Sequence, residues 1–232
     1  IYTLSLHDAL PIYYRPVTTY GFIGAGNMAG AIVRGAIAAG TDPASLLLTS
    51  AHDSAARLAA QTGARHEPDA GALAAAADVV VLAVKPRVVP AVTVRISDAL
   101  AASRPLVVSI AAGIGLARLE SLLPEGARVV RAMPNMAAGV GQSMTALAAG
   151  AAADESDLAT ARALMDSVGR TVLIAEEDFP IFVGLAGSAP AFVFTFIDAL
   201  ARAGVLGGIP KAQAVEIDRK STRLNSSHII ES

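Results

Sequence analysis

An α/β fold, a Rossmann-type mostly parallel sheet with helices on both faces followed by the start of an all-helical domain, is predicted for this 232-residue chain. Three observations predict it. Short apolar runs alternate with helical stretches, the order of βαβ units. The first run ends in a glycine-rich turn that opens a helix. Hydrophobic residues make up 53% of the chain and charged residues 16%, enough apolar material for a sizeable core and too much for a disordered chain.

The first predicted strand covers 19–23 and is followed by a helix at 29–39. The second strand, 46–49, leads into a helix at 54–61. Strands follow at 79–83, 106–110 and 128–132, with a helix at 116–123 after the fourth; the alanine run 74–77 is helix-forming material. Residues 142–148 and 171–175 read as edge strands on either side of a helix at 155–168, for which Asp154 is the cap. Residues 15–177 therefore form the Rossmann domain, and 178–217 begin a helical domain in which 191–203 is strongly apolar through Phe192, Phe194, Phe196, Ile197 and Leu200. Without partners, such a helix exposes a patch that favours association.

Both ends differ in composition from the body. Residues 1–14 and 218–232 resemble peptides translated from sequencing-adapter DNA, so they are set aside from fold reasoning, and His7 and His228 carry no functional weight.

The net charge of −2, with no long basic run, argues against nucleic acid and anionic membrane surfaces as partners. A small molecule or another subunit is left. The absence of cysteine excludes disulfides and thiolate metal sites and is compatible with a reducing cytoplasm. Apolar runs such as 79–84 are broken by Gly, Pro or charge, so none is expected to reach the ~20 residues of a membrane span. A soluble, cytoplasmic protein is expected. The scattered histidines suggest no metal site.

Gly24-Ala25-Gly26-Asn27-Met28-Ala29-Gly30 stands where the first strand meets the first helix. Gly24 permits the tight turn, Gly26 lets backbone approach a pyrophosphate, and Ala29 lets the helix pack closely on the strand. Free N–H groups at the helix start then face the phosphates. An NAD-specific site would place a carboxylate at the end of the second strand, ~20 residues on. Here Thr49 and Ser50 stand there, offering hydroxyl donors to a 2′-phosphate, with Arg57 or His52 to help neutralise it. NADPH is therefore the expected cofactor, with NADH possible. Asp53 reads as a helix cap.

The segment from Gly21 to Ile32, with Leu82-Ala83-Val84-Lys85-Pro86, Ser109-Ile110-Ala111-Ala112-Gly113, Arg131-Ala132-Met133-Pro134-Asn135 and Gly187-Ser188-Ala189-Pro190-Ala191-Phe192, resembles the ordered motifs of pyrroline-5-carboxylate reductases. The resemblance covers 20–214. It implies NADPH-dependent reduction of a cyclic imine to L-proline by a homodimer or larger homo-oligomer. It also implies that Ala83, Val84, Lys85 and Pro86 and the loop Ala111, Ala112 and Gly113 surround the nicotinamide, and that Asn135 reaches cofactor and substrate. Asn135 and Lys85 are the candidate catalytic residues. For Lys85 a solvated strand-end lysine is favoured over direct proton transfer. Met133 and Met136 read as packing.

A protonated imine is already electrophilic, so positioning carries most of the catalytic burden. Related β-hydroxyacid dehydrogenases use a lysine on the helix leaving the Rossmann domain, but 187–208 holds Asp198 and Arg202 and no lysine. That reading, and a non-catalytic NADPH-binding module, remain as alternatives. Ala189 and Phe192 stand where the family commonly has Gly and Tyr, and Asp69-Ala70 stands in the region of a usual asparagine. The resemblance fades near Ile217, so the chain as written is expected to bind NADPH but to reduce imine poorly.

Overall fold

The computed structural model describes residues 18–229; the opening segment, with His7, and residues 230–232 lie outside the described residues. Eight strands form one sheet in the order β3-β2-β1-β4-β5-β6-β7-β8. The first six are β1 (Tyr20–Ile23), β2 (Leu46–Thr49), β3 (Arg65–His66), β4 (Val79–Leu82), β5 (Leu106–Ser109) and β6 (Val129–Met133). They run parallel in the Rossmann order. β7 (Ser143–Ala149) lies antiparallel to β6, and β8 (Gly169–Leu173) is parallel to β7, so of the two expected edge strands only β8 is at the edge and β7 is internal. Strand order reverses between β1 and β4, which opens a crevice at their C-terminal ends.

Alternation along each strand divides the core. Val79 and Val81 face one apolar layer, built by α1 (Asn27–Ala38), α2 (Ser54–Thr62) and later α6 (Glu155–Asp166). Val80 and Leu82 face the other, built by α3 (Ala70–Ala76), α4 (Val89–Ser103) and α5 (Leu116–Glu120). Strands buried on both faces read as unbroken apolar runs, which is why β1, β2, β4 and β5 were legible. Two elements lacked such a signal: β3, only two exposed residues long, and α4, whose Pro90 at its start resembles a loop.

Small residues set the distances between layers. A Cβ on Gly21 would meet the Leu73 side chain, so α3 sits directly against β1. A Cβ on Gly35 would lie 2.8 Å from the Ser167 carbonyl, so α1 crosses the end of α6 in contact. Asp154 caps α6 as expected: its carboxylate accepts from the N–H groups of Ser156 and Asp157, and Asp157 accepts in turn from Asp154 N–H. The Ser156 hydroxyl, then the Asp157 N–H, hold the Asp154 carboxyl below its usual value. Asp69 does the same for α3, and the Ala72 N–H is the first cause of its lowered pKa.

Beyond β8 the chain turns helical. A short turn at Glu176–Asp178 leads through α7 (Phe179–Phe182) and a π-helical segment (Val183–Ser188) into α8 (Ala189–Leu206), and α9 (Lys211–Ile229) follows. α9 crosses the composition change at Asp218. α8 and α9 approach through Gly204, where a Cβ would stand 3.1 Å from that of Ala214.

One expectation is corrected here. Glu176–Leu206 forms 31 consecutive helical residues and is, among the described residues, a helix long and apolar enough by length and composition to cross a membrane. Pro180 falls in the first turn, Gly184 and Gly187 lie in the π segment, and Pro190 comes just after that segment, where carbonyls already leave the α-helical ladder, so none interrupts the run.

Candidate functional site

The C-terminal ends of β1, β2, β4, β5 and β6 converge on the crevice. Gly24 leaves β1 with φ +108°, a left-handed conformation, and its N–H donates to the Thr49 carbonyl at 2.8 Å. A Cβ there would stand 2.7 Å from the Ala83 carbonyl carbon, so the glycine turn and the loop after β4 touch through backbone. Ala29 is buried against the sheet. Gly26 occupies the N-cap of α1 with nothing within 4 Å of its missing side chain. No side chain caps α1 and no acid stands in its first turn, so the N–H groups of Asn27 and Met28 open the helix towards the crevice. These features fit a pyrophosphate.

Ala83 and Val84 are half-buried at the end of β4, and the exposed Lys85 and Pro86 begin a 3₁₀ turn. Among the described residues the Lys85 side chain makes no hydrogen bond or ion pair. After β5, Ala111 is buried while Ala112 and Gly113 are exposed, Gly113 at φ +78° with open space around it. All three motif loops thus border one crevice.

Asn135 is buried at the end of β6, and its amide is largely used by the fold. Oδ1 accepts from Ala137 N–H at 3.2 Å, and Nδ2 donates to the Ala186 carbonyl at 3.0 Å. The second bond fastens the π segment, where carbonyls leave the α-helical ladder, to the strand end. One N–H and one lone pair of the amide remain for a ligand.

The expected hydroxyl donors behave differently from the sequence reading. Thr49 is 4% exposed and directs its hydroxyl at the Pro68 carbonyl, 3.4 Å away. Ser50 donates to the His52 carbonyl at 2.5 Å and accepts from Ala55 N–H and the Ser54 hydroxyl. Both hydroxyl protons therefore face internal carbonyls instead of a 2′-phosphate. The reason lies in α2: Asp53 holds the N-cap position without a side-chain cap bond, and Ser50 supplies the acceptor in its place.

A polar junction joins the two domains. Glu176 Oε1 accepts from Arg131 Nη1 at 2.6 Å and from Leu116 N–H at 3.0 Å, so it caps α5 from outside the helix. Arg131 stacks over Phe179 with its guanidinium carbon 3.9 Å from the ring centroid. A Cβ on Gly115 would crowd Glu176 at 2.9 Å. Sequence reasoning passed over this group. An arginine among Val129, Val130 and Ala132 in a buried strand was the available signal.

Residues 19–113 match the family model described as NADP oxidoreductase coenzyme F420-dependent, and residues 176–223 match pyrroline-5-carboxylate reductase dimerisation. A pyrroline-5-carboxylate reductase of Methanosarcina acetivorans is 37% identical over 85% of this chain and 73% of its own length. The chain belongs to the pyrroline-5-carboxylate reductase family. The Escherichia coli pyrroline-5-carboxylate reductase is 38% identical, over 91% of this chain and 79% of the relative. A solved pyrroline-5-carboxylate reductase from Coxiella burnetii, 32% identical, superposes with a TM-score of 0.85 over 93% of this chain and 81% of that one. This member of the family is thus an oxidoreductase with a Rossmann domain leading into a helical dimerisation region.

Proposed function

We propose that this chain carries the NADPH-dependent reduction of 1-pyrroline-5-carboxylate to L-proline. The observation that carries the reading is the meeting of the turn at Gly24, the loop from Ala83 to Pro86, the loop from Ala111 to Gly113 and Asn135 at one crevice, in a member of this family. NADPH, when bound, supplies the hydride. The open N-terminus of α1 holds the pyrophosphate, and Gly26 admits it. The loops after β4 and β5 confine the nicotinamide, with Ala112 and Gly113 leaving room for a flat ring. Lys85 lends positive charge at the crevice mouth, and Asn135 keeps the π segment against the strand ends while offering its remaining N–H to substrate or carboxamide. No side chain need act as a strong acid, because the imine arrives protonated.

Incubating the protein with pyrroline-5-carboxylate and NADPH should consume NADPH slowly and form an equal amount of proline. Reduction of NADP+ by a 3-hydroxy acid, with no proline formed from the imine and NADPH, would overturn the reading.

A second copy of the chain is the proposed cover of α8. Phe192, Phe194, Phe196 and Leu200 are exposed, and Phe192 by 71%. A helix apolar on nearly every side is an interior helix, and here α9 is its main neighbour. The match to a dimerisation model over 176–223 supports the same cover. Sedimentation velocity should find dimers or larger species that Phe196→Arg converts to monomers; a monomeric wild type at micromolar concentration would refute it.

A further inference from the structure

At the opposite end of the sheet from the crevice, a cavity of about 250 Å³ lies where α4 ends and β5 and β6 begin. Leu100, Ala101, Pro105 and Pro124 give it apolar walls, and Arg104 and Glu125 border it with opposite charges. Arg104 closes α4 at φ +48°, the only non-glycine residue with a left-handed backbone among the described residues, and it stands directly before Pro105. In α2 the same position is held by Gly63, which has no Cβ to strain. The conformation of Arg104 is fixed from outside: Arg128 donates from Nη2 to the Arg104 carbonyl at 2.9 Å, while its Nη1 pairs with Asp157 at 2.7 Å. The Arg104 guanidinium lies against Gly126, donating from Nη2 to its carbonyl at 3.3 Å, and a Cβ on Gly126 would stand 3.0 Å from that nitrogen. Among the described residues Nε and Nη1 of Arg104 have no acceptor, and the Glu125 carboxylate makes neither an ion pair nor a hydrogen bond.

We infer that this cavity binds a small amino acid in its zwitterionic form, one with an apolar side chain. Two opposite charges that border one cavity without meeting complement a ligand that carries both. The ligand carboxylate accepts from the donors of Arg104 that remain free, its ammonium lies on the Glu125 side, and its side chain packs on the leucine and proline walls. Glu125 repels a phosphate or a dicarboxylate, and Arg104 repels a simple amine, so neither charge alone is favoured. Arg128 does not alter this balance, because Asp157 already neutralises it. Both bordering side chains are exposed, so water screens each contact and binding is weak, of the order of 1 to 10 mM. Gly126 belongs to the same site, since a side chain there would displace the guanidinium. The cavity is separate from the crevice and does not depend on the reaction proposed there, although L-proline belongs to the ligand class it fits.

The test follows the backbone amide resonances of the isotope-labelled protein as L-proline is added. Ala101, Arg104, Gly126 and Ala127 should shift along one saturating curve, independently of Gly24 and Gly113, which report on the crevice. Cyclopentanecarboxylate, the same ring without the amine, should bind about threefold more weakly, and pyrrolidine should leave these resonances in place. Arg104→Gly removes the guanidinium and also relieves the backbone, so it should melt at or above wild type and weaken L-proline at this cavity by about tenfold or more. Glu125→Gln should weaken L-proline about threefold and leave cyclopentanecarboxylate unchanged. Shifts confined to the crevice would overturn the inference and leave the reaction proposed there standing. Shifts at the cavity that persist in Arg104→Gly, above all if that variant melts several degrees early, would make Arg104 a structural clasp on Gly126 and overturn it as well. Inorganic phosphate binding as tightly as L-proline would overturn it by showing a site for anions alone.

Discussion

Gly24→Ala should lower stability by about 3 kcal/mol or more and remove measurable cofactor binding. Two independent costs meet at this residue. Its φ of +108° lies where an L side chain is strained. Its missing Cβ points at the backbone of Ala83 and Val84, which has no rotamer by which to yield. Relieving the clash means moving the loop after β4 away from the end of β1, which opens the crevice at the point where strand order reverses. In a domain of this size the loss corresponds to a fall of about 6 to 12 °C in melting temperature. Gly26→Ala provides the contrast, since nothing lies within 4 Å of that position. It should melt near wild type and weaken only the cofactor. Thermal unfolding of both variants, followed with and without NADPH, checks the pair; equal melting temperatures would show that Gly24 is not the residue that sets this contact.

Glu176→Ala should cost about 2 to 3 kcal/mol, the second-largest effect. Arg131, whose side chain is 10% exposed, would keep its charge inside the protein with only the Phe179 ring beside it. Leu116 N–H would lose its acceptor at the same time, and α5 has no side-chain cap of its own. Breaking a buried pair costs more than this, but Glu176 is one-third exposed, and water screens part of the loss. Glu176→Gln keeps a carbonyl for Leu116 and gives up only the charge, so about half the effect is expected. Amide exchange separates the two roles: Leu116 should lose protection in the alanine variant and keep it in the glutamine variant. An alanine variant that melts with wild type would show that the junction contributes nothing to stability. Because only Ile114 separates Gly115 and Leu116 from Gly113, the same variant should loosen the loop proposed to confine the nicotinamide.

The legible parts of the chain share a physical character. Strands buried on both faces are apolar along most of their length, so β1, β2, β4 and β5, and β6 apart from Arg131, can be found within a residue or so of their ends. The turn at Gly24 is equally legible because its requirement, a positive φ beside a helix start, is met by so few residue types. Asp154 is another such case: its capping bonds involve residues two and three positions away. The exposed α8 was foreseen for the same reason, since its composition is that of an interior helix whatever surrounds it.

What the sequence determined by itself, then, is whatever depends on a single element: strand burial, turn conformation, local caps, and the ordered motifs that mark the family. The tertiary structure alone decided how elements far apart in the chain share groups. Glu176 reached Leu116 and Arg131 across 60 and 45 residues, and Arg104 reached Gly126 across 22. Hydrogen bonds and charges act through space over a few ångströms, so their partners are set by packing, and packing is the one property that sequence separation does not record.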